Sequence, residues 1–367
     1  MKNTFGASVA VTIFGESHGS AVGAVVDGLA PGIAVEEAFI RHQLTLRRPY
    51  GSISTGRREE DAFQIVSGVF EGHTTGTPLC ILIPNADTRS RDYAATRSLA
   101  RPGHADYTAY LKYHGWEDYR GGGHFSGRIT AALAAAGAVA ISALRGRGIR
   151  LGTHIARCAG VPDRGFQGEL TAEIAALNDR RFAVLDEQAG EEMRSRIRAA
   201  AEQGDSVGGI LETAVTGFPP GVGEPWFDTL EGLLAHALFS VPAVKGVEFG
   251  AGFAGADLTG SAYNDPFYLE GTTVKTRSNH NGGINGGISN GMPLLLRCVV
   301  KPTPSIFREQ ETVDFLKGEG AVLRLQGRHD PAVVHRARVV VDSVIALTLC
   351  DALALRFGTD WLKGEGT

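Results

Sequence analysis

The chain is poor in cysteine, and no two of its cysteines are close enough in sequence to suggest a zinc site. Cys80, Cys158, Cys298 and Cys350 are far apart in a chain of 367 residues. We therefore predict free thiols in a cytoplasmic protein, and neither a disulfide framework nor a metal centre. The HExxH pattern of zinc enzymes is absent as well, so no metal ligands are predicted.

A long hydrophobic run and an excess of positive charge are also missing. The most apolar helix candidate, residues 129–144, is mostly alanine and too short to span a bilayer, so we predict a buried core helix. The N-terminal segment lacks the apolar stretch of a secretory signal. The chain has 36 Lys and Arg against 40 Asp and Glu, so it is not basic overall. We expect neither a membrane nor a nucleic acid as partner.

Glycine, in contrast, is abundant, with 49 residues that often occur in clusters. Such clusters indicate tight turns or a backbone that approaches a ligand closely. The run at residues 121–123 precedes a predicted helix, whose N-terminus would favour an anion. A GxGxxG string at residues 250–255 follows a predicted strand but does not begin a helix pattern. A dinucleotide-binding fold is therefore not predicted.

Hydrophobic periodicity predicts neighbouring strands, with helices after long connections. The predicted strands are residues 8–14, 23–29, 63–69, 78–83, 210–216, 246–253 and 293–300, and the predicted helices are residues 35–46, 128–144 and 331–355. A charged segment at about residues 165–205 is predicted as a solvated helical excursion. Paired strands favour an α+β fold with antiparallel sheets over alternating strand–helix units. We expect one domain over residues 1–367.

One segment of the chain occurs twice in similar form. Residues 68–79 align without gaps with residues 283–294, sharing three glycines, a proline and a leucine. Each copy is followed by a loop with His and Asp, residues 103–106 and 327–330, and later by a long apolar helix. We interpret this as an internal pseudo-twofold duplication with the functional site between the halves. Chance similarity of glycine-rich turns is the alternative.

Arginines gather in segments that could bind anions. Arg47 and Arg48 are adjacent, and Arg120 and Arg128 flank the triple glycine. Guanidinium groups bind phosphate or carboxylate in a bidentate manner. At a helix end, arginines can also serve only to bond the last carbonyl groups.

Three histidines lie in turns or glycine-rich stretches; two of them, His104 and His124, could donate protons near neutral pH, and His18 can project from a turn after a predicted strand. Histidines in turns are more often structural than catalytic, so each one alone is a weak indication. Two further segments, residues 278–287 and 301–305, combine glycines, prolines and hydroxyls that suit a planar ligand or a phosphate. The residues alone thus predict a glycine-lined site for phosphorylated or carboxylated ligands.

Taken together and in order, these segments resemble the chorismate synthase family. The strings that carry the resemblance run from Phe14 to Pro331: FGESHG, RRP, SGVFEG with TTGTP, RPGHADYT, DYRGGGHFSGR, GDSVGG, AVKGVEFGAGF, SNHNGGINGGIS, KPTPSI and GRHDP. Each string is moderately specific, but ten in order are highly specific.

This resemblance implies a lyase that catalyses the last step of the shikimate pathway, in aromatic amino acid biosynthesis. The substrate would be 5-enolpyruvylshikimate 3-phosphate, and an anti 1,4-elimination would yield chorismate and phosphate. The reaction would require reduced FMN although it involves no net redox change. The implied structure is a homotetramer of a sandwich of helices and antiparallel sheets.

The resemblance also implies roles for individual residues. His18 would protonate the leaving phosphate, and His104 would protonate the reduced flavin. Asp330 would assist loss of the C6 proton through the flavin N5, with Ser17 and Ser126 supporting the network. The residues implied in flavin binding are Arg47, His124, Phe125, Ser126, Pro242, Ala243, Gly286, Lys301, Pro302, Thr303, Pro304, Ser305 and Arg328. Those implied in substrate binding are Arg47, Arg48, Arg120 and Arg128.

The chain departs from the family pattern in two places. Tyr50 replaces a glycine after RRP, and Ser52 or Ile53 stands where the family often has an arginine that contacts a pyridine nucleotide. We therefore expect NADPH only as an indirect reductant. His124-Phe125 also replaces a more common Arg-Ser pair.

Two other functions remain open from the residues alone. One is an FMN-dependent oxidoreductase with net hydride transfer, which would consume NAD(P)H and release no phosphate. The other is a non-catalytic phosphosugar- or flavin-binding protein, which would tolerate loss of His18 and His104.

Overall fold

The computed structural model describes residues 2–56, 60–86, 97–325 and 330–363, and its elements are numbered along the chain. The strands are β1 Thr4–Phe5, β2 Ala10–Gly15, β3 Ala21–Asp27, β4 Gln64–Ser67, β5 Val69–Phe70, β6 His73–Thr74, β7 Leu79–Pro84, β8 Arg150–Cys158, β9 Val161–Pro162, β10 Gly209–Thr216, β11 Val244–Phe249, β12 Phe267–Glu270, β13 Thr273–Thr276, β14 Ile284–Asn285, β15 Ile288–Ser289, β16 Leu294–Val300, β17 Gln310–Asp314 and β18 Glu319–Leu323. The helices are α1 Glu37–Arg47, α2 Asp106–Tyr113, α3 Thr130–Gly146, α4 Leu170–Asn178, α5 Glu187–Glu202, α6 Leu230–Ser240, α7 Gly260–Tyr263 and α8 Val334–Phe357.

Alternating apolar residues build two five-stranded antiparallel sheets. Their strand orders are β1-β2-β3-β7-β4 and β11-β16-β10-β8-β9. In β7, for example, Leu79, Ile81 and Ile83 are buried and point to one face. Helices α3 and α8 pack against each other, α3 on the first sheet and α8 on the second. Helices between antiparallel sheets confirm the predicted α+β sandwich.

Helices α3 and α8 can approach closely because small residues face each other. A Cβ added at Gly137 would lie only 2.1 Å from the Cβ of Ser343. Together with the turn before it, α3 forms the 20-residue helix Gly127–Gly146, which is long and apolar enough to cross a membrane. The prediction that this segment is too short for that was wrong. The prediction of burial is confirmed, since 89% of the apolar window is buried inside the protein.

The two similar glycine-rich segments form the same hairpin in each half. β5 pairs with β6 and β14 pairs with β15, and β7 or β16 follows directly. Thr74 Oγ1 donates to one carbonyl at 2.6 Å and accepts a backbone N–H at 2.9 Å, both from the segment before α1. Ser289 Oγ makes the same two bonds, at 2.7 and 3.0 Å, to the segment before α6.

Strand order is repeated as well. The order β2-β3-β7-β4 in the first sheet corresponds to β8-β10-β16-β11 in the second, with α1 and α3 matching α6 and α8. This correspondence supports the predicted pseudo-twofold duplication over chance similarity. Of the second predicted His/Asp loop, only Asp330 lies within the described residues.

The predicted excursion consists of two helices, α4 and α5, between β8 and β10. On β8, Gly152 faces α4, whereas the hydroxyl of Thr153 bonds to α8 on the other side. Asp163 accepts hydrogen bonds from two backbone N–H groups at the start of α5, at 2.7 and 2.9 Å. The buried His154 on β8 bonds to this carboxylate and, through its other nitrogen, to Glu212 on β10, each at 2.9 Å. An imidazole between two carboxylates thus ties the excursion to the sheet.

Each of the ten predicted strands and helices is present, with ends shifted by a few residues. The pattern analysis missed β8, α2, α6 and the two hairpins β12–β13 and β17–β18. In β8, the buried polar residues Thr153 and His154 interrupt the apolar pattern by which a buried strand is recognised. Residues 250–255, the GxGxxG string, lead into a 3₁₀ turn, Gly252–Asp257, beside an antiparallel sheet. This agrees with the prediction that no dinucleotide-binding fold is formed.

Candidate active site

A cavity of about 1280 Å³ opens at one end of the helical layer. Loops from both halves meet there, together with the end of α1 and the beginnings of α3 and α8. Most residues that sequence analysis assigned to the site line this cavity: His18, Arg47, Arg48, His104, His124, Phe125, Ser126, Arg128, Pro242, Ala243, Lys301, Thr303, Pro304, Ser305 and Asp330.

Four other predicted residues are described but do not line the cavity. Ser17 is fully buried directly behind it. Arg120 is paired with Asp118, with 2.7 Å between Nη2 and Oδ2, and its side chain is 40% exposed. Gly286 forms the turn of the β14–β15 hairpin, and Pro302 packs on the backbone near residue 208. The fifth, Arg328, lies outside the described residues.

The triple glycine brings the two key histidines together. Gly121, Gly122 and Gly123 all have left-handed backbones, with φ of 60°, 81° and 52°, which other residues rarely adopt. A Cβ on Gly121 would lie 2.2 Å from His18 Cε1, and one on Gly122 would lie 3.4 Å from His104 Cε1. The predicted helix N-terminus does not follow directly, because α3 begins only at residue 130. The glycines instead provide a surface without side chains for both imidazoles.

His104 is oriented by a carboxylate that stays charged. Its Nδ1 lies 2.8 Å from Oδ1 of Asp106, and Arg101 donates to both oxygens of that carboxylate at 2.6 Å. Burial alone would raise the pKa of Asp106, but the hydrogen bonds from Arg101 and His104 outweigh it and hold this pKa well below its usual value. Arg101 also donates to Ser305 at 3.2 Å, which joins this cluster to the 301–305 loop.

A second buried carboxylate organises the predicted substrate-binding arginines. Asp61 accepts hydrogen bonds from Arg47 Nη2 at 3.0 Å and from Arg128 Nη1, and Arg48 Nε lies 3.7 Å away. Burial raises the pKa of Asp61, but the charges of Arg47 and Arg128 outweigh it and lower the pKa below its usual value. Burial lowers the pKa of Arg47 to about 10, so this guanidinium remains charged at neutral pH. Arg48, with 30% of its side chain exposed, has the freest access to the cavity of these three arginines.

Asp330 is held by two donors from different parts of the chain. Its Oδ1 accepts the backbone N–H of Thr55 at 2.7 Å, and its Oδ2 pairs with Arg336 Nη1. Arg336 also donates from Nε to the carbonyl of Arg47 at 2.9 Å. The carboxylate is thereby fixed at the cavity wall next to the arginine cluster.

The 301–305 loop closes another side of the cavity. Lys301 Nζ donates to the carbonyl of Gly103, and the backbone N–H of Lys301 donates to Ala243 at 2.9 Å. Ser206 holds the carbonyl of Thr303 at 2.7 Å. The Thr303 hydroxyl is buried and has no hydrogen-bond partner among the described residues. A buried hydroxyl of this kind is suited to bond a ligand.

The remaining predicted residues have local structural partners. His124 Nδ1 lies 2.8 Å from the carbonyl of Gly15, at the end of β2. Ser126 Oγ accepts the backbone N–H of Arg128 at 3.2 Å and so begins the turn before α3. Phe125 is 37% exposed and packs edge-on against Tyr113.

Tyr50, which replaces the family's glycine after RRP, is packed between aromatic and cationic neighbours. Its ring packs edge-on against His335, with centroids 5.5 Å apart, and lies under the guanidinium of Arg181 from the excursion. Burial raises the pKa of Tyr50 to about 12 and lowers that of His335 to about 3. His335 is therefore neutral, and its Nε2 lies 2.9 Å from the hydroxyl of Ser54.

The described cavity wall carries an excess of positive charge. Nine of its residues are Arg or Lys and five are Asp or Glu. An anionic ligand is therefore favoured there. In the described ranges, no group of three or more His, Cys, Asp or Glu residues is arranged to hold a metal ion.

Several residues that shape this site were not among the predicted ones: Thr55, Asp61, Asn85, Arg101, Asp106 and Arg336. Arg101 and Asp106 belong to the RPGHADYT string, where a carboxylate two residues from a histidine could have been noted as its partner. For Thr55, Asn85 and Arg336 the sequence offers no such signal, since each acts on a group that is distant along the chain.

Comparison with known proteins gives one consistent family. The family model described as chorismate synthase matches residues 9–354. The chain is 45% identical over 366 residues to a chorismate synthase of Dehalococcoides mccartyi, covering 98% of each protein. It is 44% identical over 351 residues to that of Pyrococcus abyssi, covering 96% of this chain and 97% of the relative.

A solved structure described as a crystal structure of chorismate synthase has the same fold. Its TM-score is 0.76 at 28% identity, and the match covers 97% of this chain and 94% of the other. The matches extend over nearly the whole length, including both halves and the cavity between them. The chain therefore belongs to the chorismate synthase family, lyases that catalyse the last step of the shikimate pathway.

Proposed function

We propose that the cavity binds 5-enolpyruvylshikimate 3-phosphate beside reduced FMN and eliminates phosphate to form chorismate. In this anti 1,4-elimination a C–O bond to phosphate and the C6–H bond break, and no net redox change occurs. The observation that carries the proposal is the meeting of His18, His104 and Asp330 in one cationic cavity. These residues belong to three strings that are far apart in sequence.

The residues of the site fit a flavin mononucleotide. The cavity volume of about 1280 Å³ is above the range of roughly 300–1,000 Å³ that holds one drug-sized ligand, so it has room for two. The lining includes apolar side chains, among them Val11, Leu133 and Val340, which suit a planar ring. Lys301 and the buried Thr303 hydroxyl would contact polar groups of the cofactor. The other proposed contacts are Arg47, His124, Phe125, Ser126, Pro242, Ala243, Pro302, Pro304, Ser305, Gly286 and Arg328. When bound, reduced FMN would lend electron density to the substrate as phosphate leaves.

His18 is proposed to donate the proton that the departing phosphate requires. Phosphate leaves more readily when a nearby acid neutralises its developing charge. His18 lies on the cavity wall in the turn after β2, against Gly121. Ser17 beside it has a buried hydroxyl without a hydrogen-bond partner among the described residues, which could support this network.

His104 is proposed to hold a proton at the flavin. Asp106 fixes the ring through Nδ1, which leaves Nε2 on the side of Gly122. Asp330 is proposed to assist removal of the C6 proton, and Ser126 to support the flavin-side network. The two donors from Thr55 and Arg336 keep the Asp330 carboxylate in place.

The arginines are proposed to neutralise the phosphate and carboxylates of the substrate. Arg48 and Arg128 line the cavity with Arg47, and Asp61 holds them together. Arg120 is also proposed as a contact, although it pairs with Asp118 and stands outside the cavity wall. It would have to exchange this partner for the substrate.

One anaerobic assay tests the reaction. Purified protein, chemically reduced FMN and 5-enolpyruvylshikimate 3-phosphate should yield chorismate absorbance and an equal amount of phosphate. Absence of chorismate would contradict the proposal. Stoichiometric NAD(P)H consumption without phosphate release would instead indicate the oxidoreductase alternative.

NADPH is proposed to act only as an indirect reductant of FMN. Tyr50 is packed against His335, and Ile53 is buried in the core, so neither offers the cation that a nucleotide phosphate needs. Isothermal titration of the protein with NADPH in the absence of flavin should show no binding in the micromolar range.

The chain is also proposed to form a homotetramer of single 1–367 domains in the cytoplasm. A continuous apolar core joins both halves, which supports one domain. On the β12–β13 hairpin, Phe267, Leu269 and Val274 share one face and are 65%, 70% and 55% exposed, as expected of an interface. All four cysteines are free, as in reducing compartments. No membrane or nucleic-acid partner is proposed.

A further inference from the structure

The turn that carries His18 is held largely by hydrogen bonds to other parts of the chain. It joins β2 to β3 over residues 16–20, and a backbone hydrogen bond within it joins Gly19 N to Glu16 O at 3.1 Å. From the side of the glycine run it is held by a bond from Ser17 N to the carbonyl of Gly123 at 3.0 Å. The groups that hold the opposite side of the turn therefore also position the imidazole.

Asn85, the residue after β7, holds that side. Its Nδ2 donates to the carbonyls of Glu16 at 3.0 Å and Gly19 at 2.9 Å, the two residues that flank Ser17 and His18. Its backbone N–H donates to Ser20 at 3.0 Å. The side chain of Asn85 thus bridges both ends of the turn that carries His18.

Asn85 is itself anchored in the buried arginine cluster. Arg128 Nε donates to Asn85 Oδ1 at 2.9 Å. This bond fixes which end of the amide is the acceptor, so the NH₂ group must face the two carbonyls. Arg128 has only 2% of its side chain exposed and is paired with the fully buried carboxylate of Asp61.

We propose that Asn85 is a positioning residue of the elimination, which transmits the fixed geometry of the Asp61–Arg128 pair to the turn of His18. The inference rests on the proposed role of His18 as the acid. Proton transfer to the leaving oxygen depends on the placement of the acid, and a misplacement of about 1 Å costs on the order of 10²-fold in rate. Asn85 acts through the turn and is not itself a proton donor.

Two variants separate this role from a general effect on folding. Asn85→Asp keeps an acceptor for Arg128 but replaces the NH₂ by an oxygen that repels both carbonyls, whereas Asn85→Ala removes all these bonds. We expect kcat to fall by about 10- to 100-fold in both. The affinity for oxidised FMN should stay within about twofold of wild type, because Asn85 is not on the cavity wall.

A matched control is Asn178→Ala. Asn178 also donates from Nδ2 to a strand carbonyl, that of Leu151 at 3.2 Å, but it lies in α4 away from the cavity. This variant should lose a comparable hydrogen bond and keep the wild-type kcat. Equal losses of kcat in Asn178→Ala and Asn85→Ala would overturn the inference.

The decisive measurement is a double-mutant cycle with His18→Ala. If Asn85 acts by placing His18, the double variant His18→Ala with Asn85→Asp should be no slower than His18→Ala alone. The inference would be overturned if the losses of kcat in the two single variants multiplied in the double variant. It would also be overturned if Asn85→Asp kept the wild-type kcat while His18→Ala was impaired. Either result would leave the proposed function intact. A wild-type kcat for His18→Ala would overturn the inference together with the proposed role of His18 as the acid.

Discussion

Individual carboxylates determine how the cationic groups of the cavity are arranged. Asp61 gathers Arg47 and Arg128, and Asp106 orients His104 with the help of Arg101. Both carboxylates are buried enough for desolvation to raise their pKa, yet arginines lower the pKa in each case. They therefore remain charged at the pH where the enzyme works, and the groups around them keep fixed positions.

His104→Ala should separate catalysis from cofactor binding. We expect flavin binding to be retained and turnover to fall by about 10²-fold or more, because a positioned acid–base group is lost. Anaerobic turnover and FMN titration measure the two effects. As a control, the exposed His73, whose ring Nδ1 lies 2.9 Å from the carbonyl of Glu71, should tolerate alanine without loss of turnover. An unchanged rate in His104→Ala would remove His104 from the mechanism.

The glycines at 121 and 122 provide a matched pair of substitutions. Both have left-handed backbones, so alanine should cost about 1–2 kcal/mol of stability at either position. Only Gly121→Ala would push the imidazole of His18, since its Cβ would lie 2.2 Å from that ring. We expect kcat to fall by about 10²-fold in Gly121→Ala and much less in Gly122→Ala. Equal kcat values in both variants would contradict the assigned contact.

Among the larger elements, the excursion α4–α5 is the one most dependent on a single titrating group. His154 is buried between Asp163 and Glu212, and Asp163 in turn holds the start of α5. Burial alone would lower the pKa of His154, but the hydrogen bonds and charges of the two carboxylates outweigh it, so the pKa is raised. The imidazolium is thus the form that the folded protein prefers.

This preference predicts a stability that declines at alkaline pH. Because the folded-state pKa of His154 lies above its usual value of 6.5, its contribution is complete below about pH 6.5 and is lost as pH rises through the folded-state pKa. His154→Gln should lower the free energy of unfolding by about 3–5 kcal/mol at pH 6, since two carboxylates lose their cation. The difference from wild type should shrink towards pH 9.

Urea unfolding of both proteins from pH 6 to pH 9 measures this effect. His42→Gln is the control, because His42 pairs with an exposed Asp179 on the surface and should change stability little at any pH. A difference between wild type and His154→Gln that stays constant over this range would contradict the assignment.

At the scale of the whole molecule, the site exists because two similar halves face each other. The first half contributes the turns with His18 and His104, and the second contributes the 301–305 loop and Asp330. Each half alone would leave its apolar helix, α3 or α8, without the partner that buries it. The cavity is therefore a property of the complete fold.

The exposed face of the β12–β13 hairpin is predicted to form part of the interface of the proposed homotetramer. A two-stranded hairpin with three exposed apolar side chains is rarely stable facing water on its own. Leu269→Lys should lower the molar mass in solution at micromolar concentration, as measured by light scattering, because it places a charge on this face. Glu202→Lys, on the exposed end of α5, is the charge control and should leave the mass unchanged. A mass for Leu269→Lys equal to that of wild type would exclude the hairpin from the interface.

Much of the architecture was predictable from local patterns. Strands with alternating apolar residues, such as β2 and β7, and the alanine-rich helix α3 were recognised to within a few residues. Strand β8 was missed because its buried Thr153 and His154 are satisfied by distant partners, which no local pattern shows. The hairpins β12–β13 and β17–β18 were missed as well.

Because glycine-rich turns and apolar periodicity follow from local backbone chemistry, the amino-acid pattern alone indicated the α+β fold class and the family, and it suggested the duplication. It also indicated the histidines and arginines of the site by residue type. The partners of these side chains became apparent only in the folded chain: Asp61 pairs with Arg47, Asn85 bonds the turn of His18, and Thr55 and Arg336 bond Asp330. Hydrogen bonds and ion pairs require distances of about 3 Å between groups that are far apart along the chain, so no local pattern shows them.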